Sequence, residues 1–175
     1  MELITQGKTD EAIEVLSKKL ETATKSKEKS FHYLPYNFKQ SGFEKEILEQ
    51  FFTLNYDDLE IYYNGEKGLT QFVIECYKKQ NSNYKYIGKY TTDFLIIKRD
   101  ERSDISKILI LETKGEGFAN NFLETKKFME DDFIKINEEG FGYKKIDFLY
   151  LEDSLSLDDN LKIMDKKIKG FFQCQ

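Results

Sequence analysis

Apolar residues run almost without interruption through Phe94-Leu-Ile-Ile97 and again through Ile108-Leu-Ile-Leu111, with the polar stretch Asp100-Glu-Arg-Ser-Asp-Ile-Ser106 between them. Two such runs around a turn-like segment predict adjacent antiparallel strands closed as a hairpin. Strand side chains alternate between faces, so Leu95 and Ile97 share one face while Phe94 and Ile96 share the other. With both faces apolar, the hairpin belongs in the middle of a covered sheet. Pairing Ile97 with Ile108 sets Asp93 directly opposite Glu112, and the period of two puts Lys114 on the face of Glu112.

The rest of the chain supplies elements to cover that sheet. Thr9 to Leu20 carries Ala12, Ile13, Leu16 and Leu20 at helical spacing, and Lys25 to Ser30 reads as a solvated linker. Ser41-Gly-Phe-Glu44 is a capping-box sequence, and Glu44, Ile47, Leu48 and Phe51 follow at i, i+3, i+4 and i+7, so Glu44 heads an apolar stripe. Strands are expected over Leu59–Tyr63 and Phe72–Tyr77, with a turn over Asn64–Gly68 and a loop over Lys78–Asn83. A helix is expected over Asn121–Asn137, with Phe122, Met129, Phe133 and Ile136 as its packing stripe and Gly140 just beyond its end. Lys145–Leu151 reads as a strand, and Ser156-Leu-Asp-Asp159 opens a last helix that packs through Leu161, Met164, Ile168 and Phe171. This order predicts an α/β domain, a mixed β-sheet flanked by helices, over residues 41–175, preceded by an N-terminal helical arm and linker over residues 1–40.

Charge and composition narrow the chemistry. The 175 residues suffice for one good core, and 15 Phe and 11 Tyr supply its material. A net charge of -5 is the wrong sign for tight stand-alone DNA binding, so any nucleic-acid contact needs a local basic surface or help from partners. One such surface is Asn83–Tyr90, where Lys85 and Lys89 interleave with tyrosines; Lys126 and Lys127 offer another. The same letters fit a tyrosine-rich strand and a helix with wet lysines. No apolar run approaches the ~20 residues of a membrane span, and no basic-then-apolar leader opens the chain, so a cytoplasmic protein without membrane contact is expected. Cys76 and Cys174 lack metal or disulfide spacing. The single histidine, His32, leaves little for serine hydrolase chemistry or histidine-ligated metals.

Carboxylates on an apolar sheet face cost several kcal/mol each unless they are paired or bound to metal. Asp93, Glu112 and Lys114 therefore read either as a salt-bridged cluster at a sheet edge or as a site for a hard cation such as Mg²⁺, which takes one or two carboxylates and completes its shell with water and phosphate. Asp93, the spacer and Glu112-Thr-Lys114 resemble the PD-(D/E)xK nuclease motif. Tyr90-Thr-Thr-Asp-Phe94 followed by Leu111-Glu-Thr-Lys-Gly115 is similar to the C-terminal endonuclease domain of type III restriction enzyme Res subunits, over roughly Ser41 to Asp153. Thr92 stands where that family usually has a proline that shapes the turn.

The resemblance implies a restriction-endonuclease-like fold and a Mg²⁺-dependent DNA endonuclease, with Mn²⁺ as a substitute metal. Asp93, Glu112 and the backbone carbonyl of Thr113 hold the metal, Lys114 acts on the attacking water, and Glu44 adds a carboxylate from the first core helix. Glu44 has a second reading as the capping-box partner of Ser41. The implied partners are double-stranded DNA, a helicase/ATPase domain, a methyltransferase-specificity subunit and a second copy of the chain as a homodimer. No phosphate-binding loop is present: Gly7-Lys8-Thr9 lacks the glycine five positions earlier, where Glu2 stands. The alternative is a catalytically inactive nucleic-acid-binding or scaffolding module on the same fold. Nothing in the residues separates DNA from RNA.

Overall fold

The computed structural model describes residues 42–54, 56–64, 72–81, 83–115, 117 and 119–173. The expected N-terminal helix, the linker, Ser41 and most of the turn after Asn64 lie outside them. In chain order the elements are α1 (Gly42–Thr53), β1 (Leu59–Tyr63), β2 (Ile74–Gln80), β3 (Asn83–Tyr90), β4 (Phe94–Arg99), β5 (Ile105–Lys114), α2 (Ala119–Lys127), a π-helical segment (Phe128–Phe133), α3 (Ile134–Phe141), β6 (Ile146–Glu152) and α4 (Leu157–Phe172).

Four strands form a mixed sheet in the order β1-β4-β5-β6, antiparallel except for the parallel pair β5 and β6. A parallel pair needs a long crossover, which the helical stretch from α2 to α3 provides. In the central hairpin Ile97 faces Ile108 and Phe94 faces Leu111, the pairing under which Asp93 comes to stand opposite Glu112. It slips only beyond Lys98, at the mouth of the loop. There the Asp100 carboxylate accepts the Arg102 and Asp104 amides at 2.9 and 3.0 Å, which closes the turn.

The apolar residues on the two faces of the hairpin fill two cores. Phe94, Ile96, Leu109 and Leu111 pack against Ile47, Leu48 and Phe51 of α1 and Met164, Ile168 and Phe171 of α4. On the other face, Ile110 and Phe148 pack with Phe122, Phe128, Met129 and Ile134, and with Ile74, Cys76 and Tyr90 of the two-stranded β2–β3 ribbon. The ribbon thus roofs one face of the sheet without joining its ladder. The Ser156 hydroxyl caps α4 by accepting the Asp159 amide at 3.2 Å, as the capping box predicts. No helix among the described residues is long and apolar enough to cross a membrane.

Three expectations need correction. The loop expected over Lys78–Asn83 is largely ribbon: β2 continues to Gln80 and turns at Asn81, whose φ is 53°. Polar letters at Lys78 to Gln80 reflect a strand with no core beneath it, because the ladder to Asn83–Lys85 needs only backbone. The long helix runs past Gly140 to Phe141 and ends at Gly142, whose φ of 74° suits only glycine well. Its stripe also rotates. The π segment inserts wider turns, so a 3.6-residue period loses phase across it. Ile134 turns inward and Ile136, expected in the stripe, lies exposed.

Leu109, fully buried between the sheet and the helices, is the position where truncation should be felt most directly. Leu109→Ala is expected to lower the unfolding free energy by about 2–5 kcal/mol in urea titration. Leu123→Ala, at an exposed position, should change it by less than about 0.5 kcal/mol.

Candidate functional site

The last ladder pair of the central hairpin is Phe94 with Leu111, so Asp93 and Glu112 stand one residue further out on adjacent strands. The turn that delivers Asp93 is pinned from two sides. The Thr92 hydroxyl lies 3.0 Å from the Leu111 carbonyl and 3.2 Å from that of Phe94. Buried Asn64 donates its amide N–H to the Asp93 carbonyl at 2.7 Å, and its side-chain Nδ2 reaches the carbonyls of Thr92 and Phe72 at 3.1 Å each.

Both carboxylates are buried and held by neutral donors. Asp93 Oδ2 accepts the backbone N–H of Thr113 at 2.8 Å and its hydroxyl at 2.9 Å. Glu112, with no exposed surface, accepts the Tyr90 hydroxyl on Oε2 at 2.7 Å. Its enclosed Oε1 is ion-paired with the Lys114 ammonium but receives no well-directed hydrogen bond. That ammonium lies 5.1 Å from the Phe122 ring centroid, and Phe122 stacks on Tyr150 at 5.6 Å. Lys126 covers Tyr150 in turn, its ammonium 4.0 Å from the ring.

Burial, and then the charge of Asp93, push Glu112 up to about 7, against the pull of Lys114 and Tyr90. Burial likewise raises Asp93, with Lys114 and Thr113 opposing. For Lys114 burial works downward, but the carboxylates of Glu112 and Asp93, with Glu44 adding to them, leave its pKa raised. Burial and the Glu112 charge hold Tyr90 well above the ordinary phenol range.

The same sheet contains an ordinary buried acid for comparison. Asp147, as buried as Asp93, has two ammonium partners, Lys144 at 3.1 Å and Lys167 at 2.7 Å, and also accepts the Phe148 amide. At the hairpin mouth the ratio is reversed: one lysine serves two buried acids, with Glu44 acting on it as well. A simple salt-bridged cluster is expected to resemble Asp147. Asp93, Glu112 and Lys114 instead set two buried carboxylates against one ammonium, which favours a proton on Glu112.

The oxygen donors fit a hard cation that binds through two carboxylates. Asp93 Oδ1 receives no hydrogen bond from the described residues. Lys114 is the competitor, since its ammonium already sits on Glu112. Glu44 does not complete a three-ligand group: among the described residues, no three His, Cys, Asp or Glu side chains converge for a metal. It lies half-buried in the first turn of α1, where its charge reaches Lys114. Thr113, expected to offer its carbonyl, anchors Asp93 through its amide and hydroxyl. Lys85 and Lys89 are exposed on β3, opposite Lys78 and Glu75; Lys126 lies beside the site on Tyr150, and Lys127 is exposed on α2.

Sequence reasoning gave no role to the Tyr90 hydroxyl, the Thr92 hydroxyl or Asn64. The available signal was Tyr90 three residues before Asp93, at the end of a strand that must enter the same core. A groove of about 740 Å³ lies elsewhere, lined by Lys107, Tyr143, Asp147, Ile163 and Phe171 among others, and contains neither carboxylate of the hairpin mouth. The chemistry of the side chains, rather than cavity size, locates the candidate site.

Because Glu112 is raised from the ordinary 4.5 to about 7, the folded metal-free protein binds more protons than the unfolded chain between those values. Stability is therefore expected to be full below about pH 4.5 as far as this group is concerned, to fall as pH rises to about 7, and to level off above. Asp93 acts in the same direction. Urea denaturation in EDTA across this range should show the decline, and Glu112→Gln should flatten it. No family model, curated protein or solved structure matches this chain, so the reading of the site rests on its own residues.

Proposed function

We propose that the protein is a Mg²⁺-dependent DNA endonuclease domain that hydrolyses phosphodiester bonds, with a restriction-endonuclease-like arrangement of sheet and helices. The observation that carries this reading is the pair of buried carboxylates, Asp93 and Glu112, sharing one lysine. The element order agrees with it: helix α1, three antiparallel strands, the helical crossover and a parallel strand, with β2 and β3 as an insertion. The similarity to type III Res subunits covers a nuclease end only, so a motor domain and a methyltransferase-specificity subunit belong to other chains or segments. Two copies of the chain are needed if each site cuts one strand of double-stranded DNA.

In this reading Asp93 and Glu112 hold the metal, with the Thr113 carbonyl as a further ligand. Bound there, the cation supplies Lewis acidity towards the phosphoryl oxygens and a lower pKa for water. Thr113 and Tyr90 keep the two carboxylates in place by hydrogen bonds to one oxygen of each. Lys114 acts as a donor. Its ammonium, held against Glu112, would donate hydrogen bonds to the attacking water and to charge developing on phosphate. Phe122, backed by Tyr150, covers one side of the ammonium.

A second reading is an inactive nucleic-acid-binding or scaffolding module. The ion pair between Lys114 and Glu112 and the absence of a three-ligand group among the described residues favour it. Cleavage of supercoiled plasmid at low salt separates the two. The nuclease reading predicts nicking or linearisation with Mg²⁺ and none with EDTA, and a loss of at least about a hundredfold in Asp93→Ala and Lys114→Ala. Wild-type cleavage that persists in EDTA, or that both variants retain, overturns the assignment of the site.

A further inference from the structure

The β2–β3 ribbon is hydrogen-bonded to neither edge of the main sheet, and its outer half covers no core. Lys78 to Gln80 and Asn83 to Tyr86 are all exposed. Two large aromatic rings stand in water there, Tyr84 at 53% exposure and Tyr86 at 49%. Half-exposed rings at alternate positions of one strand offer a planar apolar surface to a partner.

The register places these rings together. Tyr77 pairs with Tyr86 and Lys79 with Tyr84, so all four share one face, while Lys78 and Lys85 share the other. Tyr86 is braced edge-on by Tyr77 at 5.6 Å, and Tyr77 by Phe128 at 6.3 Å. Alternate strand residues lie about 6.8 Å apart, twice the ~3.4 Å rise between stacked bases, which leaves space for one base between Tyr84 and Tyr86. The two strands hold four lysines, Lys78, Lys79, Lys85 and Lys89, against the single acid Glu75.

Acidic neighbours limit what charge alone can do. Lys78 is ion-paired with Glu124, which also feels Lys85, and Lys79 borders a groove with Asp131 and Asp132. Tyr84 and Tyr86 share their face with Tyr77 and Lys79, which border that groove, so stacking has to supply most of the affinity. Bases in a duplex are already stacked on one another; only an unpaired strand can offer its faces to protein rings. The inner end of β3 is Tyr90, whose hydroxyl holds Glu112. Three strand residues lie between it and Tyr86, four steps that span about 13 Å.

We infer that the β3 side of the ribbon, centred on Tyr84 and Tyr86, holds an unpaired nucleic-acid strand beside the carboxylate site. The substrate is then one with a single-stranded segment close to the cleaved bond. This rests on the nuclease reading for the position of the cut alone; strand binding by the ribbon stands apart from it.

The test is fluorescence anisotropy in EDTA with the full chain, using a labelled oligothymidine of about 20 nucleotides and a duplex of the same length. The wild type is expected to bind the single strand more tightly than the duplex. In Tyr84→Ala/Tyr86→Ala, single-strand affinity should fall about thirtyfold or more, from two lost stacks, with the duplex affected less than about threefold. Tyr84→Phe/Tyr86→Phe keeps the rings and should retain single-strand binding, which separates stacking from misfolding. Unchanged single-strand affinity in the alanine variant, no single-strand binding by the wild type, or equal losses on both DNAs would each overturn the inference; equal losses would make the ribbon a duplex clamp. Plasmid cleavage run in parallel keeps the two ideas distinct. Ring-dependent strand binding by a protein that cleaves nothing preserves the ribbon and sinks the nuclease, and cleavage without ring-dependent binding does the reverse.

Discussion

Two buried carboxylates share one ammonium at the end of a covered hairpin, and the surrounding structure is arranged to tolerate that imbalance. Desolvation disfavours both charges, and their proximity disfavours the second more, so Glu112 is pushed up to about 7. Neutral donors offset part of the cost: Thr113 on Asp93 and Tyr90 on Glu112. An acid retained only for stability needs no such arrangement, as Asp147 with its two lysines illustrates.

The fold places this charge at the open end of the central hairpin. The β4–β5 register brings the two acids to adjacent strands, and the parallel β6 sets Tyr150 beside Glu112 and Glu152 beside Lys114. The helical crossover lays Phe122 between Tyr90 and Tyr150. The ribbon then enters as a lever whose inner end, Tyr90, touches the site and whose outer half stands in solvent. One strand therefore connects a solvent-facing aromatic surface to a carboxylate ligand candidate.

Much of the sheet was legible because its constraints are local or periodic. Phe94 to Ile97 and Ile108 to Leu111 are apolar runs of equal length, and aligning them end to end pairs Ile97 with Ile108 and brings Asp93 next to Glu112. Caps were legible for the same reason: Ser156 needs only the amide three residues on. The rest depends on contacts between distant segments. The place of Tyr90 three residues before Asp93 hints that it enters the same core, but not that its hydroxyl meets a carboxylate 22 residues later, and Asn64 reaches Thr92 only after the chain has passed through the ribbon. The π segment was hidden for another reason: Phe128 to Phe133 carries no composition that separates wide turns from ordinary ones, and the stripe beyond it loses phase.

The most direct test of the claim that Asp93 and Glu112 form a cation site is calorimetric titration of Mn²⁺ into the metal-free protein near neutral pH, alongside Asp93→Asn and Glu112→Gln. The account predicts saturable binding by the wild type, with proton release as Glu112 gives up its proton, and at least about tenfold weaker binding in either variant. Equal affinity in all three proteins, or no binding by the wild type, would contradict it and leave the carboxylates as a structural cluster.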